Sequence, residues 1–261
     1  MNIKMIVMDL DGTLLRTDKT VSKYTLDVLA KCREKGIMIA IATARSVHNT
    51  KVFTDFMTPD VQITSGGSVA IHNGQTIHQA LLIGEEANAL ASHLTTVDSV
   101  GYITARTDEG YFVNKPLDLS DPSWRGYEDA IIVDFTQNIL GQTQKIVAEM
   151  PSAKVAGEVV SHFPNVKATS FTGESRVSFA NKNATKWQVV SAVASHLEID
   201  NRNIVAFGDG FNDLEMIEKC GVGVAMANGI GEVKSVANFI CDTNDNDGVA
   251  KWLAEHLLGC E

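Results

Sequence analysis

The sequence predicts an α/β protein: a doubly wound, Rossmann-like parallel sheet core with an inserted α+β cap domain. Solid apolar runs alternate with helical segments at both ends of the chain, as in parallel sheets covered on both faces. Between residues 82 and 183 the strands become short, alternating and turn-rich, which is typical of an antiparallel sheet with helices on one face. We therefore expect a core from residues 1–81 and 184–261 and a cap from residues 82–183.

The N-terminal part predicts the order strand, helix, strand, helix, strand. Four apolar residues, Met5 to Met8, form the first strand. A helix over residues 20–35, with Ser22 as its candidate N-cap, precedes an apolar run over 37–42. A shorter helix over 46–56 and a short strand over 61–63 follow. This alternation favours neighbouring parallel strands.

The middle of the chain has a different pattern. Asn73-Gly74 predicts a type I′ turn in a hairpin over residues 68–79. The elements expected next are a helix over 85–94, strands over 102–104, 111–113 and 131–135, a helix–strand stretch over 139–161, and strands over 166–171 and 175–179. The alternating pattern then resumes with helices over 186–197, 214–219, 230–237 and 248–257, and strands over 203–207, 222–226 and 239–241.

Composition limits the possible partners. The chain has 261 residues, of which 44% are hydrophobic and 21% charged, as in globular proteins. A net charge of −10 without a basic run argues against nucleic acid or anionic membrane. The four cysteines form no Cys-x-x-Cys pair, and neither a signal peptide nor a membrane-spanning apolar run is evident. We expect a cytoplasmic protein that is a monomer or weak homodimer.

Two carboxylates follow the first strand. Asp9 and Asp11 stand two residues apart, Gly12 allows a sharp turn, and Thr13 offers a hydroxyl and a backbone N–H. Strand ends of this kind face a ligand crevice in open α/β sheets. Alone, the pair could merely end a strand and cap a turn. Together with glycine it suits a divalent cation and an anionic substrate.

Further polar residues end other strands of the predicted core. Thr43 follows the second strand, and the run Gly208 to Asp213 follows a later one. Because the carboxyl ends of parallel strands lie on one edge, these groups should converge with Asp9. Lys186 opens a helix, where its charge opposes the helix dipole, so we expect a carboxylate partner.

These residues resemble the four motifs of the haloacid dehalogenase superfamily, in order. The motifs are Asp9-x-Asp11-Gly12-Thr13-Leu14, Thr43, Lys186, and Gly208-Asp209-x-x-Asn212-Asp213. The position and length of the inserted segment resemble the large cap of the Cof-type sugar-phosphatase branch. Most members of the superfamily are Mg²⁺-dependent phosphatases.

The resemblance implies a role for each motif residue. Asp9 would be the nucleophile that forms an aspartyl-phosphate, and Asp11 would protonate the leaving alcohol and later activate water. Mg²⁺ would bind the Asp9 carboxylate, the Asp11 backbone carbonyl and Asp209, with Asp213 supporting the metal site or Lys186. Asn212 would orient the phosphate or Asp209. The implied phosphate-binding residues are Gly12, Thr13, Thr43, Ala44, Lys186 and Asn212, of which Thr43 and Lys186 also count as catalytic.

Three positions depart from the family pattern. Ala44 and Trp187 stand where the family usually has Gly, and Thr64-Ser65-Gly66-Gly67 lacks the usual Asn. None of these changes removes a catalytic group. Trp187 either packs at the junction of core and cap or narrows the substrate pocket.

The sequence thus predicts a Mg²⁺-dependent phosphatase of a small phosphorylated metabolite, preferably a sugar phosphate, selected by the cap. Two alternatives stay open. A phosphomutase on the same fold would return the phosphoryl group to substrate, and a regulatory module would bind a phosphometabolite without turnover.

Overall fold

The computed structural model describes residues 2–120, 124, 127–171 and 175–259. They form two compact units, one built from Met1–Gln79 and Thr185–Glu261 and the other from Ala80–Ala184. The strands are β1 Met5–Met8, β2 Met38–Ala42, β3 Val61–Thr64, β4 Val69–His72, β5 Gln75–Gln79, β6 Ile103–Thr107, β7 Tyr111–Val113, β8 Ile131–Ile132, β9 Thr143–Glu149, β10 Val166–Ser170, β11 Arg176–Asn181, β12 Ile204–Gly208, β13 Val222–Met226 and β14 Phe239–Cys241. The helices are α1 Lys23–Glu34, α2 Val47–Met57, α3 Gly84–Thr95, α4 Ala153–Val160, α5 Lys186–His196, α6 Leu214–Lys219, α7 Gly231–Val236 and α8 Gly248–Leu253.

The first unit contains an eight-stranded sheet in the order β14-β13-β12-β1-β2-β3-β4-β5. The six strands from β14 to β3 pair in parallel, and β4 and β5 add an antiparallel hairpin at one edge. Asn73 and Gly74 both have positive φ, so the predicted hairpin turn is confirmed. The α/β fold class is likewise confirmed.

Alternating side chains of this sheet enter two apolar layers. Ile6 and Met8 of β1 pack in one layer with residues of α1 and α8. Met5 and Val7 pack in the other with residues of α5 and α6. Both faces are therefore covered, which explains the unbroken apolar runs in the sequence.

The second unit is a six-stranded sheet in the order β10-β11-β9-β6-β7-β8. Helices α3 and α4 contribute to a single apolar cluster with alternating residues of β6, β9 and β11. All pairs are antiparallel except β7–β8, which is parallel. This sheet therefore departs from the expected purely antiparallel arrangement at one edge.

Several predicted boundaries were wrong. The first helix begins at Lys23 rather than residue 20. Its predicted N-cap, Ser22, is confirmed, because the Ser22 hydroxyl accepts a hydrogen bond from the Thr25 N–H. The strand expected over 131–135 is only two residues long. The stretch 139–161 is a strand followed by a helix. The terminal helix gives way to a π-helical turn over Ala254–Leu258.

Candidate active site

Adjacent parallel strands bring the first catalytic candidates to one sheet edge. Strand β1 lies between β12 and β2, with Met8 opposite Phe207 on one side and Ile41 on the other. Asp9, Asp209 and Thr43 each follow one of these three strands. The Asp9 backbone N–H also donates to the Phe207 carbonyl at 3.1 Å. The expected convergence follows from this register.

A buried lysine links two of the carboxylates. The Lys186 Nζ donates to Asp9 Oδ1 at 2.7 Å and to Asp213 Oδ1 at 2.6 Å. Lys186 is the first residue of α5, whose N-cap Thr185 accepts from the Gln188 N–H. The two carboxylates offset the unfavourable placement of this cation at a helix N-terminus, as the sequence predicted.

Asp213 is fully engaged by protein donors. Its second oxygen, Oδ2, accepts from the backbone N–H groups of Asp209 and Gly210, each at 3.0 Å. With Lys186 on Oδ1, both oxygens already have partners. Asp213 therefore orients Lys186 and the 209–210 turn, which suits the supporting role and disfavours direct metal binding.

Asp209 lies against the loop of the first motif. The Thr13 hydroxyl donates to Asp209 Oδ1 at 2.9 Å. Gly12 has φ +78°, and a Cβ there would lie 2.4 Å from Asp209 Oδ2. Glycine is thus required twice at this position, by the left-handed backbone and by the close carboxylate.

The carboxylate cluster fits a divalent cation. Ligand oxygens of Asp9, Asp209 and Asp213 lie within 4.8 Å of one another. Burial raises the pKa of Asp9 to about 8, with Asp213 adding to the rise and Lys186 opposing it. Burial and the Asp213 charge likewise raise the pKa of Asp209 to about 6. A bound Mg²⁺ would stabilise the charged forms of Asp9 and Asp209, which burial disfavours.

Asp11 has a different environment. Arg45 donates to both of its oxygens, from Nε at 2.6 Å and from Nη2 at 2.7 Å, and Lys19 Nζ donates at 2.7 Å. Burial raises the pKa of Asp11, but the hydrogen bonds and charges of Arg45 and Lys19 outweigh it, so the pKa falls to about 2. Asp11 is therefore a carboxylate in the substrate-free protein.

The remaining predicted phosphate-binding residues differ in how deeply they are buried. Thr43 is buried, and its hydroxyl accepts from the Arg45 N–H at 3.1 Å. Ala44 stands between them, half-buried. Asn212 is exposed, and within the described residues its side chain makes no hydrogen bond to Asp209. Thr13 orients Asp209 instead.

Three further residues of the site were missed from the sequence. Arg45 and Lys19 bind Asp11, and the Asn228 side-chain amide donates to the Gly12 carbonyl at 2.7 Å. Arg45 and Asn228 each lie two or three residues beyond a strand that ends at this edge, so the rule that found Thr43 would have found them. Lys19 lies in a turn that gives no comparable signal.

Trp187 packs inside the first unit. Its half-buried side chain contacts the apolar layer that includes Val189 and Ile217, and the Lys219 Nζ lies 5.9 Å from its ring centroid. These contacts support a packing role.

Comparisons with known proteins agree on one family. The sequence profile of the haloacid dehalogenase-like hydrolases matches residues 6–253. The chain is 27% identical over 272 residues to the 5-amino-6-(5-phospho-D-ribitylamino)uracil phosphatase YitU of Bacillus subtilis (strain 168), covering 97% of each protein. It is 27% identical over 280 residues to the pyridoxal phosphate phosphatase YbhA of Escherichia coli (strain K12), covering 99% of this chain and 100% of the relative.

The fold comparison gives the same result. The phosphatase BT1666 from Bacteroides thetaiotaomicron, of the haloalkanoate (HAD) enzyme superfamily, is similar with a TM-score of 0.84 at 26% identity. The match covers 97% of this chain and 94% of that chain. Within the residues described above, none of the helices has both the length and the apolar character needed to span a membrane.

Proposed function

Since the chain belongs to the haloacid dehalogenase-like hydrolases, as its four motifs indicated, we propose that it is a Mg²⁺-dependent phosphatase of a small phosphorylated metabolite. The curated relatives compared above are named phosphatases, and the substrates in their names are small phosphorylated molecules. We propose a sugar phosphate as substrate and an aspartyl-phosphate as intermediate.

The observation that carries this proposal is the asymmetric environment of the Asp9 carboxylate. Lys186 holds Oδ1, whereas Oδ2 has no hydrogen-bond partner among the described residues. A carboxylate fixed by one oxygen presents the other for attack. In the proposed reaction Asp9 Oδ2 forms a bond to phosphorus while the bond between phosphorus and the leaving oxygen breaks.

Asp11 supplies the proton transfers of both steps. It donates a proton to the leaving oxygen. In the second step water attacks phosphorus and the bond between phosphorus and Asp9 Oδ2 breaks, which releases inorganic phosphate, while the Asp11 carboxylate accepts the proton of that water. Because Arg45 and Lys19 hold Asp11 ionised in the resting protein, its protonated form requires these contacts to change when substrate binds.

The charged phosphate needs neutralising groups on several sides. Mg²⁺, held by Asp9, Asp209 and the Asp11 backbone carbonyl, would offset negative charge on the phosphoryl oxygens. Lys186 lowers the repulsion between Asp9 and the phosphate. The remaining proposed donors are the Thr43 hydroxyl and groups of Gly12, Thr13, Ala44 and Asn212. We propose that the inserted unit, Ala80–Ala184, supplies most of the discrimination between substrates.

Phosphate release from a panel of phosphorylated metabolites tests the proposal. The wild-type protein with Mg²⁺ should release inorganic phosphate, EDTA should abolish the release, and Mg²⁺ should restore it. Ca²⁺ should inhibit, because its larger coordination shell misplaces the reacting oxygens. Undiminished activity after exhaustive chelation would exclude the metal dependence.

Asp9→Asn tests the nucleophile itself. The two side chains are nearly isosteric, so the variant should fold and lose turnover. Acid-stable trapping of radiolabel from a phosphorylated substrate should label the wild type and not Asp9→Asn. Phosphoryl transfer to a second substrate molecule without release of inorganic phosphate would identify a mutase, and binding without turnover a regulatory module.

A further inference from the structure

Lys19 has a backbone conformation that L-residues rarely adopt. Its φ is +65°, in the left-handed region. Two backbone hydrogen bonds fix this turn: the Arg16 N–H donates to the Thr20 carbonyl at 3.0 Å, and the Lys19 N–H donates to the Arg16 carbonyl at 2.9 Å. Such strained positions persist where the surrounding structure holds them, often at functional sites.

A second segment of the chain anchors the same turn. The Arg16 guanidinium binds both oxygens of Asp247, at 2.8 and 3.3 Å. The Thr17 N–H and hydroxyl both bind Asp245, each at 2.8 Å. The turn is therefore held from two sides, which fixes the direction from which the Lys19 side chain extends.

The Lys19 ammonium adds a second cation to the proton donor of the proposed reaction. Its Nζ lies 2.7 Å from Asp11 Oδ1, although Arg45 already binds both oxygens of that carboxylate. One bidentate arginine balances one carboxylate. The three side chains together carry a formal charge of +1, and Lys19 is about half exposed (51%).

A cavity lies beside these groups. It has a volume of about 350 Å³, and its lining residues are Gly12, Arg16, Thr17, Lys19, Asn228, Thr243, Asn244 and Asp245. Several of its polar groups are already engaged. Arg16 binds Asp247, the Asp245 carboxylate accepts two hydrogen bonds from Thr17, and the Asn228 side chain bonds Gly12 and Asn244. The Lys19 side chain thus lines the cavity, and its ammonium group also binds Asp11.

We propose that Lys19 is a specificity-determining residue that binds an anionic group on the leaving alcohol, a carboxylate or second phosphate seated in this cavity. The inference rests on the proposed phosphatase function. Asp11 must come within about 3 Å of the oxygen that leaves. Atoms a few bonds from that oxygen then fall within reach of the lysine side chain. A neutral leaving group would form no ion pair with the Lys19 ammonium.

Two phosphate esters that differ at one group test the proposal. In 3-phosphoglycerate and glycerol 3-phosphate the phosphate is on a primary alcohol, and the leaving groups differ only by a carboxylate in place of a hydroxymethyl group. Wild-type kcat/KM should be about tenfold or more higher for 3-phosphoglycerate. Lys19→Met should lower that value about 10- to 100-fold, mainly through KM, as expected for a hydrogen bond between charged groups. A change in the value for glycerol 3-phosphate reports the contact of Lys19 with Asp11, and the loss on 3-phosphoglycerate should exceed that change at least about tenfold.

Lys23→Met is the matched control, because Lys23 lies four residues away and, in the part of the chain that the structure describes, its side chain pairs only with the exposed Asp27. It should leave both substrates unaffected. An equal loss on both substrates in Lys19→Met would mean that Lys19 acts only through Asp11, and no loss would mean that it has no role. Either result overturns the proposal.

Equilibrium binding separates this inference from the proposed function. Calorimetric titration of 3-phosphoglycerate should give about tenfold weaker binding to Lys19→Met than to wild type, even if turnover of both probes is slow. Release of phosphate from p-nitrophenyl phosphate reports the phosphatase activity independently. Activity on that ester together with equal binding of 3-phosphoglycerate by both proteins would leave the function intact and refute the role of Lys19.

Discussion

Lys186 and Asp213 form an ion pair that excludes water completely, with Nζ 2.6 Å from Oδ1 and both side chains 0% exposed. Removing one partner of such a pair leaves a buried charge without compensation. Because Lys186 also binds Asp9, its loss would affect two carboxylates at once.

Lys186→Met should therefore lower the free energy of unfolding at pH 7 by about 3–5 kcal/mol. The deficit should grow as the pH rises from about 7 to about 9, because burial raises the pKa of Asp9 to about 8 and loss of the Lys186 charge, which lowers that pKa, disfavours the charged form of Asp9 further. Urea denaturation at several pH values measures it. Lys23→Met, which breaks an exposed pair, should cost less than about 1 kcal/mol. A pH-independent deficit would contradict the electrostatic explanation.

Metal binding should release a proton from Asp9. Burial raises the pKa of Asp9 to about 8, so the carboxyl is largely protonated at pH 7 in the metal-free protein, and a metal ion displaces that proton. Apparent Mg²⁺ affinity should rise up to about tenfold per pH unit below pH 8. The same linkage affects the free energy of unfolding of the metal-free protein. Asp9 contributes to it at acid pH, and this contribution is lost as the pH rises through about 8.

Calorimetry in two buffers of different ionisation enthalpy measures the protons released. Asp9→Asn is the control and should show no such release. A Mg²⁺ affinity that is constant between about pH 6 and pH 8 would contradict this assignment of the titrating group.

Gly12→Ala should weaken metal binding by at least about tenfold, because the new Cβ would meet Asp209 Oδ2 and Cγ at 2.4 and 2.8 Å. Gly36→Ala is a matched control: Gly36 has φ +76°, almost the same as Gly12, but nothing lies within 4 Å of the added Cβ. Both variants should lose about 1–2 kcal/mol of stability through backbone strain. Equal Mg²⁺ affinity in the two variants would show that Asp209 accommodates the methyl group.

Trp187→Gly should lower the melting temperature and leave the ranking of substrates unchanged. The substitution removes a ring that packs on the core and places glycine near the start of α5, which costs about 2–4 kcal/mol for a half-buried tryptophan. Trp187→Leu, which keeps an apolar side chain, should lose less. A broader substrate range at an unchanged melting temperature would assign Trp187 to the substrate pocket instead.

The sequence predicted the sheet edge well because strand ends and apolar runs are local features. The carboxyl ends of parallel strands share one edge of a sheet, so Asp9, Asp209 and Thr43 were expected to lie together, and the observed register of β12, β1 and β2 agrees. The partner expected for Lys186 is confirmed as a contact with Asp9 and Asp213. The catalytic roles of these residues stay predictions.

Other features could not be predicted because they depend on tertiary contacts. The turn that holds Lys19 relies on residues more than 220 positions away, Asp245 and Asp247, so its sequence alone says nothing about Asp11. The short strand at Ile131–Ile132 has exposed side chains, and the local apolar pattern overestimated its length.

The discontinuity of the first unit also affects how the chain is made and folds. Strand β1 pairs with β12, and Met5 lies opposite Ile204. During synthesis, nearly 200 further residues must therefore be added before β12 can cover one edge of β1. The unit Ala80–Ala184 is continuous and has its whole chain available earlier. Until β12 emerges, Met5-Ile6-Val7-Met8 presents an apolar, unpaired edge, the kind of segment on which nascent chains aggregate. Pulsed hydrogen exchange during refolding should accordingly protect the amides of β9 and β11 before those between β1 and β12.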